Sequence, residues 1–108
     1  MNAIATVYAL FGSRAQAETI GRAMIAARLA ACVNILAPCT SIYRWDGTIE
    51  TAEEVPALFK TTADGADALI SAIAAAHDYA TPAIVAWPIA AAHPPYAAWL
   101  RDEVGGDA

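Results

Sequence analysis

Asp46-Gly47 stands between two β-rich runs, Ser41-Ile42-Tyr43-Arg44-Trp45 before it and Thr48-Ile49-Glu50 after it. Both central residues of a two-residue hairpin turn must accept positive φ, and Asp-Gly is one of the few pairs that do. The turn therefore predicts a hairpin, with arms reading as strands from Cys32 to Trp45 and from Thr48 to Thr61. Strands of about 5–6 residues are usual, so arms this long should project beyond their own sheet. Pro38 and Pro56 interrupt the arms. Proline has no N–H to give to a ladder, so each marks a bulge or an edge.

The flanking segments supply the rest of a layer. Ile4 to Phe11 reads as a first strand, ended by Gly12. Ser13-Arg14-Ala15-Gln16 has the pattern of a capping box, in which two side chains satisfy orphan N–H groups reciprocally. The helix it opens is expected to run to about Ala30. Ile20, Met24, Ala27 and Ala31 share one face, and Arg14, Glu18 and Arg22 the wet one. Thr62-Ala63-Asp64 reads as the cap of a second helix, from about Gly65 to His77, with Ala66, Leu69, Ile70, Ile73 and Ala74 facing the core. Ala83 to Pro88 reads as a last strand. Pro94-Pro95 opens a short helix through Glu103, with Tyr96, Trp99 and Leu100 expected inside and Gly105-Gly106 in a mobile end. The order β-α-β-β-α-β plus a short C-terminal helix is that of an α+β, ferredoxin-like split βαβ sandwich, one domain over residues 1–108.

Composition narrows the setting. Hydrophobic residues make up 58% of the chain, against about 45–50% in an average domain. Alanine accounts for part of this, but Trp45, Trp87 and Trp99 point to apolar surface covered by partner subunits. A net charge of −5 argues against nucleic acid, which is held by basic clusters. No apolar run reaches the roughly 20 residues of a membrane span, and no basic segment precedes the first apolar stretch, so neither a membrane helix nor a signal peptide is expected. Cys32 and Cys39 are the only cysteines and share one arm, an arrangement unsuited to a disulfide. Reduced thiols and a cytoplasmic setting follow.

The segment from Leu29-Ala30-Ala31-Cys32-Val33-Asn34-Ile35 to Glu50 resembles the signature of the CutA family of divalent-cation tolerance proteins. The resemblance continues through Glu54-Val55, Lys60-Thr61-Thr62, His77-x-Tyr79-x-x-Pro82 and Tyr96-x-x-Trp99. It implies a homotrimer whose long hairpins wrap neighbouring subunits, with Tyr43 and Trp45 at the interface. It also implies a role in tolerance of copper and other divalent cations, with no obligatory cofactor and no defined reaction. The architecture is similar to that of PII signalling trimers. Asp78, Ala80 and Ala83 stand where the family commonly has proline, glutamate or glutamine, and glutamate.

Cys32 and His77 are the candidate metal ligands, through thiolate and imidazole. The plain alternatives are a small core hydrophobe and a favourable residue at a helix C-terminus. The resemblance adds Glu54, Lys60 and Tyr79 as ligand-binding candidates. Hairpin arithmetic places Cys32 opposite about Thr61, so Cys32 and Lys60 lie at one end of the sheet. His77 follows a helix about 18 Å long and lies at the other end. A metal site holding both cysteine and histidine therefore needs two subunits. A second reading has Lys60 and the nearby N-terminus of the second helix binding a small anion or metabolite. A third is a scaffold that binds a partner protein. No nucleophile elbow, metalloprotease motif or Gly-rich phosphate loop is present, and no enzyme activity is expected.

Overall fold

A computed structural model describes residues 3–105. Its elements are β1 (Ile4–Phe11), α1 (Arg14–Ala26), β2 (Cys32–Ile35), β3 (Cys39–Trp45), β4 (Thr48–Thr62), α2 (Ala66–Ala76), β5 (Ile84–Pro88) and α3 (Pro94–Glu103). The strands form one antiparallel sheet in the order β2-β4-β1-β5, with β3 continuing the β4 ladder beyond β2. This is the split βαβ arrangement expected.

Alternation along the strands separates two faces. Val7, Ala9 and Phe11 of β1 and Val55, Ala57 and Phe59 of β4 turn toward Ala17, Ile20 and Met24 of α1 and Leu69 and Ile73 of α2. Thr6, Tyr8 and Leu10 share the other face with Lys60, Leu58 and Pro56 of β4 and with Trp87 and Val85 of β5. α3 covers one end of that second face, where Ala97 and Leu100 meet Ile4 and Ala31. Trp87 and Val85 lie beyond it and remain exposed.

The hairpin turn has the expected left-handed pair, with φ of 50° at Asp46 and 79° at Gly47. Past Phe11, where β1 ends opposite Val55, only β3 accompanies β4. The residues from Glu54 to Thr48 thus carry the hairpin about 20 Å beyond the sheet at about 3.4 Å per residue.

The two prolines meet at one bulge. Ile35 lies opposite Ala57 and Cys39 opposite Glu54, so four steps on one side face three on the other. The Leu36 N–H donates to the Pro56 carbonyl at 2.9 Å, and Pro56 faces β1 through Leu10. The extra residue shifts register by one. Cys32 therefore pairs with Lys60, not Thr61, and such a shift decides which side chains share a face.

Four other expectations are corrected. α1 stops at Ala26, four residues early. The Leu29 N–H donates to Met24 O and the Arg28 N–H to Ile25 O around a left-handed Arg28, φ 60°. This is a Schellman end with arginine where glycine is usual. At the other end of α1, Ser13 Oγ accepts the Gln16 N–H at 3.2 Å, which is the serine half of the expected capping box. The N-cap of α2 is Gly65, with no side-chain cap; Thr62 Oγ1 instead accepts the Gly65 N–H. On α3, Tyr96 and Trp99 are 37% and 43% exposed, while Ala97 and Leu100 point inward. Gly105 is not loose: its N–H donates to Arg28 O and its carbonyl accepts Arg28 Nε, both at 2.8 Å. Gly106 lies outside the described residues.

Candidate functional site

The candidate residues separate into two groups at opposite ends of the sheet. At the first end, Cys32, Lys60 and Thr6 form one rung across β2, β4 and β1. Cys32 Sγ lies 3.3 Å from Tyr96 Oη of α3, a contact in which either atom can donate. That bond, with burial and the thiol's own charge, pushes the Tyr96 phenol from 10.0 up to about 12. Lys60 Nζ donates to Asn34 Oδ1 at 3.3 Å. Nothing local in the sequence pairs Tyr96 or Asn34 with these residues, because the register shift and the position of α3 decide both contacts.

Lys60 projects from the face opposite the one that α2 covers. The expected anion site, made of Lys60 and the N-terminus of α2, therefore does not assemble in one chain. Strand alternation separates the two: Thr61, not Lys60, points to the helical side and donates its hydroxyl to Leu29 O at 2.9 Å.

At the second end, His77 is buried and stacks on Phe11, with centroids 5.0 Å apart. The Tyr79 N–H donates to His77 Nδ1 at 3.1 Å, and a backbone N–H can only donate. Nε2 therefore carries the proton and donates to the Leu10 carbonyl at 2.7 Å. Both nitrogens are committed, so as placed His77 offers none to a metal. Its expected role as a ligand is replaced by a structural one, tying the end of α2 to the end of β1. Along β1, Leu10 lies four residues from Thr6, which separates the two groups by about 13 Å.

Tyr79 and Glu54 line a cavity of about 770 Å³ between the projecting hairpin and the segment after α2. One wall is the hairpin face carrying Ser41, Tyr43, Trp45, Glu50 and Glu54; the other holds Leu10, Tyr79, Ala80, Thr81 and Ala83. Among the described residues, no basic side chain lines it. Glu54 is only 8% exposed. Burial raises the Tyr79 phenol above its ordinary 10.0, and the charge of Glu54 and its hydrogen bond to the phenol add to this. The sequence signal for Glu50 is its even spacing from Glu54, which puts both on one strand face.

Among the described residues, no group of three His, Cys, Asp or Glu converges as a metal site would require. Both cysteines are free thiols. Among the same residues, no helix is long and apolar enough to cross a membrane.

The topology and the projecting hairpin define the protein as a ferredoxin-like α+β domain with an overlong β-arm. The model of the CutA1 divalent ion tolerance protein family matches residues 5–103, and the chain belongs to that family. It is 45% identical over 82% of its length, and 86% of the relative's, to the divalent-cation tolerance protein CutA of Thermus thermophilus. It is 39% identical to protein CutA of mouse over 79% of this chain, which spans 48% of the mouse protein. Among solved structures, the Thermus thermophilus divalent cation tolerance protein superposes with a TM-score of 0.91 at 41% identity, covering 94% of this chain and 99% of that one. The protein described as periplasmic divalent cation tolerance protein CutA, from Archaeoglobus fulgidus, gives 0.91 at 32% identity, with coverage of 94% and 99%.

Proposed function

We propose that this protein is a homotrimer that contributes to divalent-cation tolerance by weakly binding copper or another divalent cation at clefts between its subunits, without catalysis. One observation carries the reading: among the described residues, no three metal-ligating side chains of a single chain converge. Cys32 lies at one end of the sheet, and Cys39, opposite Glu54, and the carboxylates Glu50 and Glu54 lie at the other. A neighbouring copy would supply the missing donors.

The apolar surface supports the assembly. Trp45 and Trp87 are 51% and 45% exposed, and Ile42, Tyr43, Ile49 and Val85 are exposed with them. That much apolar surface on a small chain marks an interaction site. The Asp46-Gly47 hairpin reaches far enough from the sheet to lie on another copy. Two reduced thiols favour the cytoplasm. The separation of Lys60 from α2 counts against the anion-sensing alternative.

Light scattering at low micromolar concentration tests the trimer, and a folded monomer would refute it. Copper titration with and without thiol blocking tests the metal. A thiolate ligand must lose its proton, so binding through Cys32 weakens as pH falls. Copper uptake unchanged by Cys32→Ser would remove that ligand from the proposal.

A further inference from the structure

At the foot of the trough between the projecting hairpin and the segment after α2, the β3–β4 ladder places Cys39 directly opposite Glu54. Residues opposite each other on antiparallel strands share a face, with Cβ atoms about 4.5–5.5 Å apart. The bulge at Pro38 creates this pair. Cys32 and Cys39 are seven residues apart in sequence, and a regular strand would turn them to opposite faces. The extra residue brings both thiols onto one face, Cys32 opposite Lys60 and Cys39 opposite Glu54.

The two thiols differ in what faces them. Cys32 lies across from a lysine, with the Tyr96 hydroxyl 3.3 Å from its sulfur. The third member of that rung is Thr6, so an ammonium that repels a cation stands where a second anionic donor is needed. Cys39 lies across from a carboxylate and makes a loose contact with Ser41 Oγ at 4.0 Å, which leaves its sulfur free to turn. The Tyr8 phenol reports the same convergence from β1. Burial raises it above its ordinary 10.0, and the charges of Cys39 and Glu54 raise it further, so both groups face one ring. The Tyr79 hydroxyl holds Glu54 by a hydrogen bond, the usual support that fixes the direction of a ligating carboxylate.

We infer that Cys39 and Glu54 are this chain's own donors to the bound cation, and that the cation is a borderline divalent ion of the zinc kind; this rests on the metal-binding reading and names its ligands. A thiolate and a carboxylate reach such an ion at about 2.3 Å and about 2.0–2.2 Å. Magnesium and calcium favour oxygen alone and monovalent copper favours sulfur, so the mixed pair selects the ions between them. Among the described residues no third Cys, His, Asp or Glu joins the pair. Two of four coordination positions are thus left to water or to a neighbouring copy, in keeping with weak binding at a subunit cleft. The pair lies about 13 Å along β3 from Tyr43, at the end of the hairpin joined to the sheet.

The test is titration of the assembled protein with zinc chloride by calorimetry and with cobalt(II) chloride by absorption. Cobalt bound to a thiolate shows a sulfur-to-metal charge-transfer band. That band is expected in the parent protein and in Cys32→Ser, and is lost in Cys39→Ser. Zinc affinity is expected to fall about tenfold or more in Cys39→Ser and in Glu54→Gln, and to stay within about twofold of the parent in Cys32→Ser. Circular dichroism checks the fold of Glu54→Gln. If that variant does not fold, Glu54→Asp replaces it, since it keeps the charge and withdraws the carboxylate by one methylene. A band and an affinity that follow Cys32 instead of Cys39 would overturn the inference and leave the metal-binding reading standing. A parent protein that takes up zinc, cobalt and copper not at all would remove both.

Discussion

His77 Nε2 lies 2.7 Å from the carbonyl oxygen of Leu10, and this bond closes the junction between the end of β1 and the end of α2. The other ring nitrogen accepts the Tyr79 N–H, so one imidazole also sets the course of the segment that walls the trough. His77→Ala is expected to lower stability by about 2–4 kcal/mol, the scale of losing a buried ring and leaving two backbone groups unpaired. Denaturant unfolding measures this. Wild-type stability with lost copper binding would instead return His77 to the metal site.

The Cys32–Tyr96 contact makes stability sensitive to alkaline pH. The Tyr96 phenol titrates near 12 in the folded chain and at 10.0 when free. A raised pKa means the folded state holds its proton longer. The contribution is complete below about pH 10 and is lost as pH rises toward 12. Thermal unfolding across that window should show a decline in the parent protein that is shallower in Tyr96→Phe. Equal slopes in the two proteins would remove the contact from the account.

Arg28 fastens α3 to the end of α1. Its Nε and Nη2 donate to the carbonyls of Gly105 and Asp102 at 2.8 and 2.9 Å, while its own backbone is left-handed. Arg28→Gly relieves the backbone strain and removes both bonds; Arg28→Ala removes the bonds and keeps the strain. Both should speed hydrogen exchange in α3, and Ala should be the less stable by about 1 kcal/mol. Unchanged exchange in α3 would show that Ala97 and Leu100 hold the helix by themselves.

The exposed tryptophans are expected to report assembly. If the proposed trimer buries it, Trp45→Ala should weaken assembly by about 2 kcal/mol or more, the scale of truncating an interface aromatic. Trp87→Asp, on the open sheet face, should act in the same direction through an unpaired charge. Mass by light scattering over a dilution series reads both. Parent-like mass and melting temperature in both variants would place the interface elsewhere.

Local chemistry made the framework legible. Asp46-Gly47 fixed the hairpin because few residue pairs accept its dihedrals. Alternation from Ile4 to Phe11 and along β4 marked the strands, and proline placed the start of α3 and the break before Cys39. With the order of elements, these residues determine the split βαβ topology and put Cys32 and His77 at opposite ends.

Only the tertiary structure decided the rest, because each remaining feature joins residues far apart in the chain. α1 stops at a left-handed arginine supported from residues 102 and 105, where sequence rules look for glycine. The bulge at Pro38 gives Cys32 the partner Lys60, and alternation then turns Lys60 away from α2. His77 carries the same ring chemistry whether it faces a metal or a carbonyl, and only the position of Leu10 commits its nitrogens. Glu50 and Glu54 look like ordinary solvated charges on a strand. They become two ends of one trough because the segment after α2 returns across the hairpin's face and shields Glu54 from water.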